Sequence, residues 1–238
     1  MKTQLYVLLA LATALWFGGS AWADYCIYKT SRYATIDASG VSSIHIDASA
    51  GFLKIHGRPG LEGVSVVGTA CTSKLEMIAE TRLHAKREGT MISIKAELPD
   101  EERWPKGSAW LDLEIEVPES IPLSVTDSSG PIDVGSVAAL DLRNGSGPIK
   151  VTNVLGDVTL KDGSGSIDIR DVAGSINIVE DDSGGIKALK VEGSVLIKHG
   201  GSGNISVQDV GGDFKVERDG SSGIKFRNVK GRVSLPDD

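Results

Sequence analysis

Five positions ahead of a recurring isoleucine, the chain places Asp127, Asn144, Asp162, Asp181, Gly200 and Asp219. Carboxylates repeated at one position of successive units would stack at the rung spacing of a sheet, where like charges repel unless bound cations or solvent intervene. A cation ladder of Asp127, Asp162, Asp181 and Asp219, with calcium as the ion, is one reading of the series. Asn144 and Gly200 interrupt it, however, and the glycine-rich nonapeptide of calcium-binding β-rolls is missing. Asp and Ser ahead of glycine ordinarily hydrogen-bond turn backbone, and that is the role the pattern predicts here. No metal site is assigned.

The other reactive residue types give little more. Glu180-Asp181-Asp182 is the densest acid run among the repeats, and glycoside hydrolysis uses two carboxylates. Neighbours on a strand point to opposite faces, though, so the run does not itself make a facing pair. His199 has no partner that the sequence assigns. None of His45, His56, His84 and His199 stands at metal-ligand spacing from another histidine or from a cysteine. Ser-Gly recurs in every unit, which marks a turn element rather than one activated nucleophile. No catalytic residue and no cofactor is therefore predicted. Trp104 and Trp110 flank Pro105-Lys106-Gly107. They are candidates for anchoring a partner, against the plainer expectation that they fold back over their own domain.

The N-terminus carries Lys2, an apolar run from Leu5 to Phe17, and small residues ending in Ala21-Trp22-Ala23. This is the pattern of a secretory signal peptide over residues 1–23, with the mature chain starting at Asp24. The run is short for a bilayer span and no later segment replaces it, so no integral membrane segment is expected after cleavage. Cys26 lies near enough to the cleavage site to raise lipidation, which the bulky Tyr25 before it disfavours. Cys26 and Cys71 are the two cysteines, and export predicts a disulfide between them, the alternative being two free thiols. Without Lys2, 24 basic residues face 32 acidic ones, a net charge of −8 by subtraction. So acidic a chain, lacking a basic cluster, is a poor fit to nucleic acid or an anionic membrane surface.

The elements that must position these residues come from a repeat. Ser129-Gly130-Pro131-Ile132 returns as Ser146-Gly147-Pro148-Ile149, Ser164-Gly165-Ser166-Ile167, Ser183-Gly184-Gly185-Ile186, Ser202-Gly203-Asn204-Ile205 and Ser221-Ser222-Gly223-Ile224. Each isoleucine is followed two positions on by an apolar residue and five positions on by a valine: Val137, Val154, Val172, Val191, Val210 and Val229. A glycine and a second apolar pair follow, as in Gly174 with Ile176 and Ile178. The period-two alternation within each half predicts two short strands per coil. One coil cannot bury its own apolar face, whereas coils stacked about 4.8 Å apart share a continuous core. A sandwich of hairpins also suits short regular strands, but it does not require the same residue at the same place in every unit.

Upstream, Ile44-His45-Ile46, Phe52 to Ile55, Val64 to Gly68, Met91 to Ile94 and Leu111 to Val117 read as strands, with Glu88-Gly89 as a hairpin turn. Ser73 to Thr81 is the one helix candidate, with Ser73 as its cap. The predicted fold class is all-β: a single-stranded, parallel β-helix-like solenoid of six C-terminal coils of about 17–19 residues with a β-rich N-terminal cap. The expected division is a capping region over 24–125 and solenoid repeats over 126–238. Leu235-Pro236-Asp237-Asp238 would protect the far end from endless stacking.

The order of Val41-x-x-Ile44-His45-Ile46-Asp47 with Gly51, the strand from Leu111 to Val117 closed by Pro118-Glu119-Ser120-Ile121-Pro122-Leu123, and then Ser-Gly-x-Ile coils resembles the bacterial putative adhesin family, over about residues 36–235. The resemblance implies a β-solenoid carried on envelope proteins and supplies no catalytic residues. The expected function is a non-catalytic, adhesin-like scaffold or binding surface in the periplasm or at the cell surface, with an envelope protein or glycan as partner. Self-association is a further partner class. The alternatives are a polysaccharide-active β-helix enzyme and a periplasmic sensor or regulatory partner.

Overall fold

The computed structural model describes residues 26–220 and 223–236. The signal peptide read over residues 1–23, the serines at 221 and 222, and the acidic pair Asp237-Asp238 lie outside the described residues.

Ten strands make each of two sheets. The N-terminal part supplies β1 (Tyr28–Asp37), β2 (Ser43–Ala50), β3 (Leu53–Arg58), β4 (Gly63–Thr72), the short helix α1 (Met77–Glu80), β5 (Arg82–Glu88), β6 (Met91–Glu97) and β7 (Ala109–Pro118). The coils then alternate between the sheets through β8 (Leu123–Ser129), β9 (Ile132–Val137), β10 (Leu140–Ser146), β11 (Ile149–Val154), β12 (Val158–Ser164) and β13 (Ile167–Val172). They continue through β14 (Ile176–Ser183), β15 (Ile186–Val191), β16 (Val195–Ile197), β17 (Ile205–Val210), β18 (Phe214–Val216), β19 (Ile224–Val229) and β20 (Val233–Ser234). The architecture is a nearly all-β solenoid of about six turns.

Register accounts for the repeat. Ile132, Ile149, Ile167, Ile186, Ile205 and Ile224 are successive parallel partners, and so are the six valines from Val137 to Val229. The opposite sheet stacks Leu123, Leu140, Val158, Ile176, Val195, Phe214 and Val233. These columns meet in one core, in which Ile167, Ile169, Val172, Ile176 and Ile178 are each no more than 1% exposed. Burying each such side chain stabilises the fold by about 1.5–3 kcal/mol. Phe226 occupies the Val207 column and is nonetheless 49% exposed. It lies in the last described coil, where among the described residues no further rung covers it.

Glycine makes the turn tight enough to stack. Gly165 has φ +140°, and a Cβ there would lie 2.1 Å from the carbonyl oxygen of Gly147 one coil away. The same contact, at 1.7 Å, recurs between Gly184 and Gly165. Any side chain at these positions would push the coils apart.

The N-terminal part adds two rungs to the same stack. The rung of β2 and β3 sits between that of β6 and β7 and that of β8 and β9, with parallel pairing on both sides. Beyond β6 and β7 the pairing turns antiparallel, with β5 on β6 and with β4 and then β1 on β7. Gly89, at φ +63°, makes the predicted β5–β6 hairpin turn. The predicted helix shrinks to Met77–Glu80, and Ser73 does not cap it: its Oγ accepts from the Ser108 N–H instead. The disulfide Cys26–Cys71 is present, with a Cα–Cα distance of 5.2 Å. It ties the chain just before β1 to the buried middle of the β1–β4–β7 edge.

Candidate functional site

One residue per coil departs from ordinary strand geometry. Ser136, Asn153, Asp171, Lys190, Asp209 and Asn228 all adopt left-handed backbone, with φ between +53° and +58°. A left-handed residue with a Cβ costs about 1–2 kcal/mol, less for Asn and Asp. The cause is parity. Ile149 and Val151 point inward two positions apart, but Val154 follows Val151 by three, so strict alternation would turn the valine outward. The left-handed residue just before it restores the inward direction and presents its own side chain to solvent.

Stacked coil on coil, five of these side chains, from Asn153 to Asn228, line a groove of about 690 Å³, and Ser136 stands just beyond its end. Asn153 Nδ2 donates to Ser136 Oγ at 3.0 Å, Lys190 Nζ lies 3.3 Å from Asp171 Oδ1, and Asn228 Nδ2 donates to Asp209 Oδ1 at 2.6 Å. The amides of Asn228 and Gln208 hold the Asp209 carboxyl below its usual range. Leu155, 54% exposed, supplies an apolar spot at one end, and Glu192 and Lys230 complete the charged rim. The surface presents donors, acceptors and both signs of charge along a line that crosses the coils. The sequence reading passed over this column, although the five-residue step from isoleucine to valine is its signature.

The predicted site residues are placed as follows. Asp127, Asp162 and Asp181 stack in register with Asn144 between the first two, and all four are buried in the core. Asp219 stands apart, beyond Gly200, and its Oδ1 accepts from the Gly220 N–H. Turn backbone does bear on the column, with the N–H groups of Ser128, of Gly163 and Ser164, and of Ser183 pulling down the carboxyls of Asp127, Asp162 and Asp181, yet neither oxygen of Asp127 or of Asp181 accepts a well-formed hydrogen bond. Glu180 and Asp182, two residues apart, share an outward face with His199 of the next coil, all three presenting polar atoms within 4.8 Å of one another. The Lys161 ammonium pairs with Glu180 and holds its carboxyl low. This is an ion-pair group with its positive charge already supplied.

Trp104 and Trp110 are half-buried on the cap. Trp104 donates from Nε1 to Glu80 Oε2 at 3.0 Å, and the Lys74 ammonium lies 5.2 Å from its ring centre. Its indole is thereby tied to α1. Among the described residues no helix is long and apolar enough to cross a membrane.

Fold and groove together define an all-β solenoid with a polar groove crossing its stacked coils. No family model matches the sequence, and no curated protein sequence matches it. Solved structures from several bacteria do match at low identity and are described as putative adhesins or a putative cell adhesion protein. A putative cell adhesion protein from Clostridium sporogenes is 13% identical, with 89% of this chain and 100% of that one covered, at a TM-score of 0.39. A putative adhesin from Bacteroides fragilis is 12% identical over 88% of this chain and 97% of that one, at 0.49. One from Parabacteroides distasonis is 12% identical over 87% and 97%, at 0.33.

Proposed function

We propose that the protein is a non-catalytic, adhesin-like binding module of the bacterial envelope whose groove receives an extended segment of another envelope protein. The observation that carries this is the left-handed column. Non-glycine residues persist at the five strained positions that line the groove, where glycine would relieve the backbone but leave no side chains there. Charges of both signs at Asp171, Lys190, Glu192 and Asp209 suit the charged side chains of a polypeptide. Among the described residues no aromatic ring lines the groove, which weighs against stacking on sugar rings. Export to an oxidising compartment fits the Cys26–Cys71 bond.

Crosslinking pull-down from envelope extracts of the native bacterium tests the reading. Wild-type protein should retain a partner that the double variant Lys190→Glu/Asp209→Lys loses without a change in melting temperature. Equal retention by both proteins would sink the groove as the binding surface. Capture on a glycan array, abolished by the same variant, would move the ligand class to sugars.

A further inference from the structure

Four polar side chains form a column inside the apolar core. Leu123, Val125 and Asp127 alternate inward along β8, as Leu140, Leu142 and Asn144 do along β10 and Val158, Leu160 and Asp162 along β12. In β14 the register shifts by one residue after Ile178, so Asp181 takes the inward place. The four are register partners rung by rung, at about 4.8 Å per rung. Asp127 is 4% exposed, Asn144 7%, and Asp162 and Asp181 0%.

Their hydrogen bonding is incomplete in a patterned way. Asn144 Nδ2 donates to Asp162 Oδ1 at 2.8 Å and to the Gly147 carbonyl at 3.3 Å. With the amide nitrogen committed toward Asp162, Asn144 Oδ1 is left as an acceptor on the other side, and it has no donor. Both oxygens of Asp127, Asp162 Oδ2 and both oxygens of Asp181 also have none. On neighbouring rungs, acceptors without a well-formed donor stand at Asp127 and Asn144, and again at Asp162 and Asp181. Leaving such groups ionised and unpaired in a core costs several kcal/mol each. Among the described residues the group of three carboxylate or imidazole groups within 4.8 Å is Glu180, Asp182 and His199, outside the core.

We propose that the column is a two-proton site: Asp127 carries a proton donated to Asn144 Oδ1, Asp181 carries one donated to Asp162 Oδ2, and Asp162 keeps the single negative charge. One directional chain then gives Asn144 Oδ1 and Asp162 Oδ2 the donors they lack, with Asp162 accepting from Asn144 on one side and Asp181 on the other. The electrostatics agree. Burial pushes the Asp127 and Asp181 carboxyls up to about 7, with Asp47 adding to the first and Asp162 and Asp182 to the second. Burial raises Asp162 too, while the Asn144 amide and the Gly163 and Ser164 N–H groups pull it back; the Ser128 and Ser183 N–H groups lower Asp127 and Asp181 without offsetting burial.

The surroundings favour holding the protons. Asp47 bears on the column from β2 and Asp182 from β14, both acidic. Asp219 stands across Gly200, its Oδ1 3.3 Å from where a Gly200 Cβ would lie. The Lys161 ammonium on β12 is engaged by Glu180 on the outer face, and His199 lies with Glu180 and Asp182 rather than with the column. The opposite sheet faces the core with the apolar column from Ile132 to Ile205.

Infrared difference spectroscopy of the full-length protein tests this without any variant. At about pH 6 a buried carboxylic-acid carbonyl band should be present, and it should fade as pH rises well above about 7. Asp127→Asn and Asp181→Asn each place an amide N–H where the proton stands. Each should remove part of the band and melt at or above the wild-type temperature at about pH 8. Absence of the band at about pH 6 overturns the proposal. So does a rise in wild-type melting temperature on adding calcium or sodium that Asp181→Asn abolishes, which would make the column a cation site. Should either variant fail to fold, the band in the wild-type protein decides.

Discussion

Lys190 reaches Asp171 across one coil, its ammonium 3.3 Å from the carboxylate, and both residues stand on left-handed backbone. At this exposed position the ion pair is worth no more than about 1 kcal/mol. A lysine at φ +57° gives up about as much or more in backbone strain. The contact does not explain the residue through stability. Replacing Lys190 with glycine should raise stability by up to about 1 kcal/mol while weakening partner retention. Urea unfolding and the envelope pull-down check the two halves, and a loss of stability would show that the side chain is structural.

Stability should pass through a maximum in mildly acidic solution. Hydrogen bonds from Ser39, His84 and Arg170 hold the carboxyls of Asp37, Glu97 and Asp168 below their usual range. The stability these groups bring is present above about pH 4 and is lost as pH falls through their lower folded values. Asp127 and Asp181 work in the opposite sense, since their folded values rise to about 7. Below about pH 4 both states are protonated and nothing is lost; between about 4 and about 7 the unfolded chain releases protons first, so stability falls, and above that it levels off. Urea midpoints measured across this range should peak near about pH 4–5. A steady rise to neutrality would contradict the buried column.

The shared core predicts a graded response in coil three. Ile167→Val should cost about 1 kcal/mol. Val172→Asp, placing a charge at a site 1% exposed, should cost several kcal/mol and lower the melting temperature sharply. Gly165→Ala should rank with the charge, because its methyl carbon would lie 2.1 Å from the Gly147 carbonyl oxygen. Melting followed by circular dichroism orders the three. A harmless alanine at Gly165 would mean that the coils stack less tightly than described.

Reduction should loosen the N-terminal end. The Cys26–Cys71 bond closes a separation of 45 residues, for which chain entropy gives about 3–4 kcal/mol. Urea midpoints with and without reductant, and in Cys26→Ser/Cys71→Ser, should agree on a loss of that order. Hydrogen exchange should place the added mobility in β1.

The stack was legible because stacking writes itself into sequence: six isoleucines and six valines in register admit few other folds. The strands at Ile44, Phe52, Met91 and Leu111 were legible by alternation, but their rung order was not. Which of them pair is set by contacts between segments far apart in the chain. β1 was missed because Tyr28 to Asp37 alternates only weakly on an edge that stays half in solvent. The aspartate column was found as a series and assigned to turn backbone, although Leu123-x-Val125-x-Asp127 already carried the parity that turns it inward. Glu180 and Asp182 were within reach, since residues two apart on a strand share a face, but the approach of His199 depends on the register between neighbouring coils.

The first rung laid down by the chain, β2 with β3, ends up as an interior layer, clamped between rungs made later, and the outer layer beside it is finished by antiparallel strands that no coil can copy. Growth by duplication is thereby confined to one direction. Each extra cassette of roughly 19 residues added among the later coils would lengthen the groove by one step of about 4.8 Å and leave the plugged end untouched. The molecule is in this sense a ruler with a fixed zero, whose reach over a partner can be reset by whole units without redesigning how it starts.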